Sequence, residues 1–430
     1  MRLQYILTTL VVVIVATAGI YMGFINTGSD EEKSSENKDY ESYNGELENL
    51  DQGYSFLNNL SLSEDMNNFS FELYNQICSE NTGNIFYSPY SVFVALAMTY
   101  EGARNETAEE MQNVLNIPRN NDTILKSMET MYKVFNQNSS YNLSTANALW
   151  IKKDYHILDD YINVIKEYYH GKAEELDFSN ASKAAEIINN WVENQTNNKI
   201  QDLIPPSSIN RFTRLILTNA IYFKGTWQTQ FDEENTTDRD FKLSDGSTIQ
   251  VPTMYLSEKR FNYTETEKLQ VLELPYSGGD VSMIILLPIK DEGLEDISID
   301  SEKLSDLTSS LTSTKVDVYL PKFKLETKYG LNEVLSAMGM PEAFNPQEAN
   351  FSGINREERL FIDGVIHKAF IEVEEEGTEA AAATGVIVGA TSIKPPKTIT
   401  FKADRPFMFI IQHKITDNIL FMGKVTNPSD

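Results

Sequence analysis

The sequence predicts an α+β fold, with helices packed around large, mostly antiparallel β-sheets. Three observations predict it. Apolar residues at helical spacing dominate the stretch that begins near residue 55. Strand-length runs of Val, Ile, Leu, Phe and Tyr dominate from Leu215 onward. The two kinds do not alternate regularly, which argues against a parallel sheet built from βαβ units. With 430 residues and 41% hydrophobic composition, the chain can bury a large core.

Taken in order, the N-terminus carries no charge between Arg2 and Asp30, and Leu10 to Ile25 is almost wholly apolar. Residues 1–27 therefore read as a signal peptide or a signal anchor. Ala16-Thr17-Ala18 offers a small-residue cleavage site, and the continuing apolar run approaches the roughly 20 residues of a membrane span. Either reading leaves the rest of the chain extracellular or at the cell surface, secreted or tethered to a membrane. Residues 28–54 are rich in Asp and Glu, with Lys33 and Lys38 as the basic residues among them. Such a segment reads as a flexible, solvated tether. One domain is expected from 55 to 430.

Within it, Phe69, Leu73 and Ile77, and likewise Phe71, Tyr74 and Cys78, form helical stripes. Cys78 is the sole cysteine, so no intramolecular disulfide is possible, and its stripe predicts a core position. Ser88 is a natural N-cap and Pro89 suits the first helical position, where a missing N–H costs nothing. Thr107-Ala108-Glu109-Glu110 reads as a capping box ahead of Met111 and Val114. Strands are expected at Leu215–Phe223, Val271–Leu274, Val281–Leu287, Lys315–Leu320 and Phe407–His413.

The formal charge of −27 leaves no basic face for phosphate, so nucleic-acid binding is excluded. The four histidines, His156, His170, His367 and His413, lack metal-ligand spacing. There is no Gly-x-Ser-x-Gly elbow, His-Glu-x-x-His, phosphate loop or dinucleotide glycine pattern. The expectation is a protein that is not an enzyme and uses neither metal nor cofactor.

One stretch resists a single local structure: Glu375-Glu376-Gly377-Thr378-Glu379-Ala380-Ala381-Ala382-Ala383-Thr384-Gly385-Val386-Ile387-Val388. Four alanines after Thr378 and Glu379 suit a Thr-capped helix over Thr378–Thr384. The flanking glycines and Val-Ile-Val suit a strand. Read as a strand, its alternate residues Thr378, Ala380, Ala382, Thr384, Val386 and Val388 are all uncharged and small or β-branched. They can share a buried face, with Glu379 on the other.

Several stretches together resemble the serpin family. Asn84-Ile85-Phe86-Tyr87-Ser88-Pro89-Tyr90-Ser91 is similar to the family's approach to its second helix. Leu217-Thr218-Asn219-Ala220-Ile221-Tyr222-Phe223-Lys224-Gly225-Thr226-Trp227 is similar to its central-sheet strand. Leu320-Pro321-Lys322-Phe323, Ala349-Asn350-Phe351-Ser352 and Val365-Ile366-His367-Lys368-Ala369 follow in the family's order. Phe401-Lys402-Ala403-Asp404-Arg405-Pro406-Phe407 and Phe421-Met422-Gly423-Lys424-Val425 match its C-terminal signatures, so the resemblance spans about residues 60 to 428.

The resemblance implies a monomeric suicide inhibitor of serine proteases. Its ambiguous segment becomes the hinge of an exposed reactive loop, about residues 375–400, which inserts into the main sheet after cleavage. Inserting about a dozen residues, with ladder hydrogen bonds worth roughly 0.5–1.5 kcal/mol net each plus apolar burial, amounts to about 10–20 kcal/mol. The uncut form is then kinetically trapped. Family spacing from Gly377 places the scissile bond at Thr391-Ser392, with Ala390 and Ile393 as neighbouring alternatives. A small residue before the cut implies an elastase-like or subtilisin-like protease. The resemblance also assigns Ser88, Ser91, Asn219 and His367 to a polar cluster that governs sheet opening. Trp227, Lys322 and Glu375 fall where the loop enters, with Lys322 paired to Glu375. Thr123 to Gln137 offers only Lys126 and Lys133, so no sulfated-polysaccharide site is expected. The alternative is a serpin-fold protein that does not inhibit but acts as a carrier, chaperone or structural partner.

Overall fold

The computed structural model describes residues 62–117, 121–136, 140–289, 293–378 and 398–430, together with Gly53 and Leu57. The chain divides into Met1–Ser55 and Phe56–Asp430. The expected export segment and nearly all of the tether lie outside the described residues, and the account below concerns the second unit. Among the described residues, no helix is long and apolar enough to cross a membrane.

Helix α1 (Leu62–Glu80) buries Phe69, Leu73 and Ile77, the stripe read from its spacing. Cys78 departs from expectation: it is only half-buried, because its side of the helix lines a cavity described below. Ser88 caps α2 (Pro89–Tyr100), its Oγ accepting from the Ser91 N–H at 3.1 Å. Every residue of α2 except Tyr100 is buried, so the helix is apolar all round and lies in the core. Helix α3 (Asn105–Leu115) begins two residues before Thr107, so the expected capping box is not formed. The Thr107 hydroxyl instead donates to Glu342 and accepts from the Asn350 N–H, tertiary bonds that outcompete a local cap. The other helices are α4 (Asn121–Asn136), α5 (Asp159–Tyr168), α6 (Ala181–Gln195), α7 (Ser301–Ser309) and α8 (Asn332–Met338).

The strands are β1 (Ile85–Tyr87), β2 (Tyr141–Lys152), β3 (Lys172–Leu176), β4 (Leu215–Thr226), β5 (Thr237–Lys242) and β6 (Thr248–Glu265). After them come β7 (Leu269–Pro275), β8 (Val281–Pro288), β9 (Thr312–Pro321), β10 (Phe323–Gly330) and β11 (Ile362–Val373). The last four are β12 (Gly377–Thr378), β13 (Ile399–Lys402), β14 (Phe407–His413) and β15 (Ile419–Val425). All five expected strand runs fall within β4, β7, β8, β9 and β14.

One sheet runs β1-β15-β14-β8-β7-β6-β9-β13, with β5 on β6; the other runs β10-β11-β12-β4-β2-β3. Pairing is mostly antiparallel, and the parallel pairs are β4–β11, β2–β3 and β9–β13. The central strands β2 and β4 of the six-stranded sheet are covered on both faces, while the edge strand β10 keeps one face exposed. Helix α2 lies against β2 and β4 from beneath. On the opposite face Ala184, Ala185, Ile188 and Val192 of α6 pack over Ala146, Ala148, Trp150, Ile216, Ala220 and Tyr222.

Candidate functional site

Strands β4 and β11 lie parallel from Leu215↔Ile362 to Tyr222↔Phe370, with one register shift between Ile362 and Gly364. Past that point they part, and β12 sits between them. Thr378 pairs with Val373 on one side and Gly225 on the other, while Gly377 pairs with Thr226. The chain reaches this position by a tight turn in which the Glu374 N–H donates to the Gly377 carbonyl at 2.9 Å. Gly377 holds φ at +154°, and a Cβ there would stand 2.2 Å from the Gly225 carbonyl oxygen, so only glycine fits. The Thr378 side chain points beneath the sheet, fully buried, with its hydroxyl 2.7 Å from that of Tyr276. Tyr276 in turn stacks on Trp227, with ring centroids 4.5 Å apart.

The turn is held through its backbone. The Trp227 indole N–H donates to the Glu374 carbonyl, the Phe231 N–H to Glu375 and the Trp227 N–H to Glu376, each at 2.9 Å. Three adjacent glutamates would repel one another, and one cation offsets this: Lys322 Nζ lies 2.8 Å from Glu375 Oε2 and 3.5 Å from Glu374 Oε1. The Thr236 hydroxyl donates to the other Glu375 oxygen at 2.7 Å. Burial pushes the Glu375 carboxyl up, but hydrogen bonds from Lys322 and Thr236 outweigh it and leave the group below its usual range. Burial acts downward on Lys322, and the two carboxylates reverse that and raise it.

Midway along the same seam, His367 on β11 stands opposite Asn219 on β4, and Asn219 stands opposite Asn147 on β2. His367 Nε2 accepts from the Ser88 N–H at 3.1 Å, which leaves the proton on Nδ1 to donate to Asn219 Oδ1. The Asn219 amide donates to the Ser91 carbonyl at 2.9 Å and bonds also to the Ser91 hydroxyl and Asn147 Oδ1. The Ser88 hydroxyl donates to the Leu420 carbonyl at 2.6 Å, tying α2 to β15. Tyr87 and Tyr329 flank the imidazole. Burial without a counter-charge pushes His367 down to about 3, so the ring is neutral in the closed sheet.

The structure thus brings the sequence-singled residues together in two places on one seam. Trp227, Lys322, Glu375, Glu376, Gly377 and Thr378 meet where the strands part; Ser88, Ser91, Asn219 and His367 meet where they are closed. Glu379, Ala380, Ala381, Ala382, Ala383 and Thr384, and Thr391 and Ser392, lie outside the described residues. Sequence reasoning missed Asn147, Phe231, Thr236 and Tyr276. Asn147 carried a signal, since an Asn inside the otherwise small and apolar run Thr145–Ile151 needs a buried partner. The others are set by tertiary geometry. Among the described residues, no group of three or more His, Cys, Asp or Glu is arranged to hold a metal.

A protein-family model described as Serpin (serine protease inhibitor) matches residues 64–428. The chain belongs to the serpin family. Serpins are generally inhibitors rather than enzymes. An uncharacterized serpin-like protein of Methanosarcina acetivorans is 42% identical over 367 residues, covering 84% of this chain and 85% of its own. Leukocyte elastase inhibitor A of Rattus norvegicus is 39% identical over 371 residues, 84% of this chain and 97% of that protein. The solved structure of human thyroxine-binding globulin is 30% identical with a TM-score of 0.80, covering 87% of this serpin and 100% of that chain.

Proposed function

We propose that this serpin is a suicide inhibitor of serine proteases, acting by cleavage of its reactive loop and insertion of the cut loop between β4 and β11. The observation that carries the reading is the parted seam: Gly377-Thr378 already occupies the top of a strand position whose remainder is closed by direct β4–β11 pairing. The next residues, Glu379 to Thr384, are small apart from one charge, and once inserted as a strand their alternation would put Ala380, Ala382 and Thr384 on the same face as Thr378.

The protease serine Oγ attacks the carbonyl of Thr391, the amine of Ser392 leaves, and the loop remains esterified to the enzyme. Each residue inserted draws the protease along, and distortion of its oxyanion hole and triad stops water from completing deacylation. Thr391 suits a small or shallow pocket, so elastase-like or subtilisin-like targets are favoured; the similarity to leukocyte elastase inhibitor A points the same way. The apolar N-terminal run supports export, with residues 1–27 as signal peptide or anchor, 28–54 as tether and 55–430 as a monomeric inhibitor domain.

The similarity to thyroxine-binding globulin supports a second reading, a serpin that carries a small molecule and does not inhibit. A denaturing gel of the domain with elastase-like, subtilisin-like, chymotrypsin-like and trypsin-like proteases separates the two. Inhibition predicts a complex that survives denaturation and releases a C-terminal peptide beginning at Ser392. Simple cutting by every protease, with no stable complex, would leave the carrier reading in place.

A further inference from the structure

A cavity of about 500 Å³ lies between the C-terminal half of α1, the segment before α7 and the larger sheet, within the size range of small-molecule sites. Its floor is a row of directly opposed residues on three neighbouring strands: Lys424 on β15, Met408 on β14 and Leu286 on β8. Ile299 closes it from the segment before α7. Tyr74 and Cys78, four apart on α1, present one helical face to it. The lining is mainly apolar, and Lys424 is the cation in it.

Lys424 is the unusual group. Its ammonium has three donors. One reaches the Asn81 carbonyl at a long 3.3 Å. Among the described residues it has no ion pair, although the chain carries 63 acidic residues against 36 basic ones. Glu295 is on the rim, exposed to solvent. A half-buried cation over an apolar floor, short of acceptors, favours an anion with an apolar body.

We propose that this cavity binds an aliphatic carboxylate, its carboxylate on Lys424 and its chain along Met408 and Leu286. The site shares no lining residue with the β4–β11 seam and stands whether or not the protein inhibits proteases.

Cys78 supplies the readout, because a single cysteine makes thiol labelling unambiguous. Iodoacetamide alkylation of Cys78 is followed by mass spectrometry while decanoate is titrated below its micelle concentration. Decanoate is expected to slow labelling saturably, by at least about tenfold. Decanol, which lacks the charge, binds about tenfold more weakly or worse, the worth of a charged hydrogen bond. Lys424→Met removes the preference for decanoate over decanol and Lys424→Arg retains it, with thermal melting as the check on folding. If Lys424→Met does not fold, the decanoate–decanol comparison on the unaltered chain and on Lys424→Arg still decides. Labelling indifferent to decanoate, or slowed equally by decanol, overturns the proposal.

Discussion

The top of the β4–β11 seam and its middle use opposite physics to hold the same two strands. At the top, the turn Glu374–Gly377 is pinned by an ion pair to Lys322, whose side chain is 31% exposed, and by single hydrogen bonds to backbone carbonyls. Lys322 is the part of this clamp that water reaches, so its ion pair contributes little, although Trp227, Glu375 and Thr378 around it are buried. In the middle, His367, Asn219, Ser88 and Ser91 are all buried and bonded mainly to one another. Opening there breaks several bonds at once in a dry site. On the proposed reading, the difference says where such a sheet would resist: a strand would begin to enter at the top, and the middle would set the barrier.

The largest expected effect comes from pH. His367 is held near 3 in the closed sheet against an ordinary value of 6.5. The unfolded chain therefore binds a proton that the native one does not, and stability present above 6.5 is lost as pH falls from 6.5 toward 3. The slope is about 1.4 kcal/mol per unit, roughly 4–5 kcal/mol in all. His413, held near 4 by burial, contributes in the same direction. Urea unfolding across that window should therefore show a shallower pH slope, by about one proton, in His367→Gln than in the parent. An unchanged slope would show that His367 is not held neutral by burial in the folded chain.

Next in size is Asn219→Ala. It strands the His367 Nδ1–H and cuts the link to Ser91 and Asn147, at a cost of about 3 kcal/mol in the urea midpoint. Gly377→Ala follows: its Cβ meets the Gly225 backbone, so β12 must withdraw, at a cost of about 2 kcal/mol. Increased exchange of the Thr378 amide would separate withdrawal from simple strain. The smallest effect is Lys322→Met, about 1 kcal/mol or less, because the cation is partly exposed while Glu375 keeps Thr236. If Lys322→Met proved costlier than Asn219→Ala, the contrast between the two ends would be reversed.

Much of this was legible in the sequence because the signals were local. Ser88 and Pro89 mark a helix start by their own chemistry, and the run Leu215–Phe223 can hardly be anything but a buried strand. Thr107 misled because its hydroxyl had two equally good uses, and the tertiary one, on Glu342 and Asn350, lies more than 230 residues away. Asn147 was missed for the same reason: its partner Asn219 becomes a neighbour only when β2 pairs with β4. The clamp on the three glutamate carbonyls leaves no side-chain signature beyond Trp227, since backbone donors are the same in every sequence. Cys78 was read as core from its stripe, and a stripe cannot tell a packed wall from the wall of a cavity.

The central claim is the proposal that the β4–β11 seam, closed below Thr378, opens to take the cut loop as a further strand. Its most direct test is the melting temperature before and after the chain is cut once between residues 385 and 397 by a protease that is then removed. Filling the seam adds about 10–20 kcal/mol, which should raise the melting temperature by at least about 15 °C, with both fragments remaining associated. A cut chain that melts at or below the temperature of the intact one would contradict the claim.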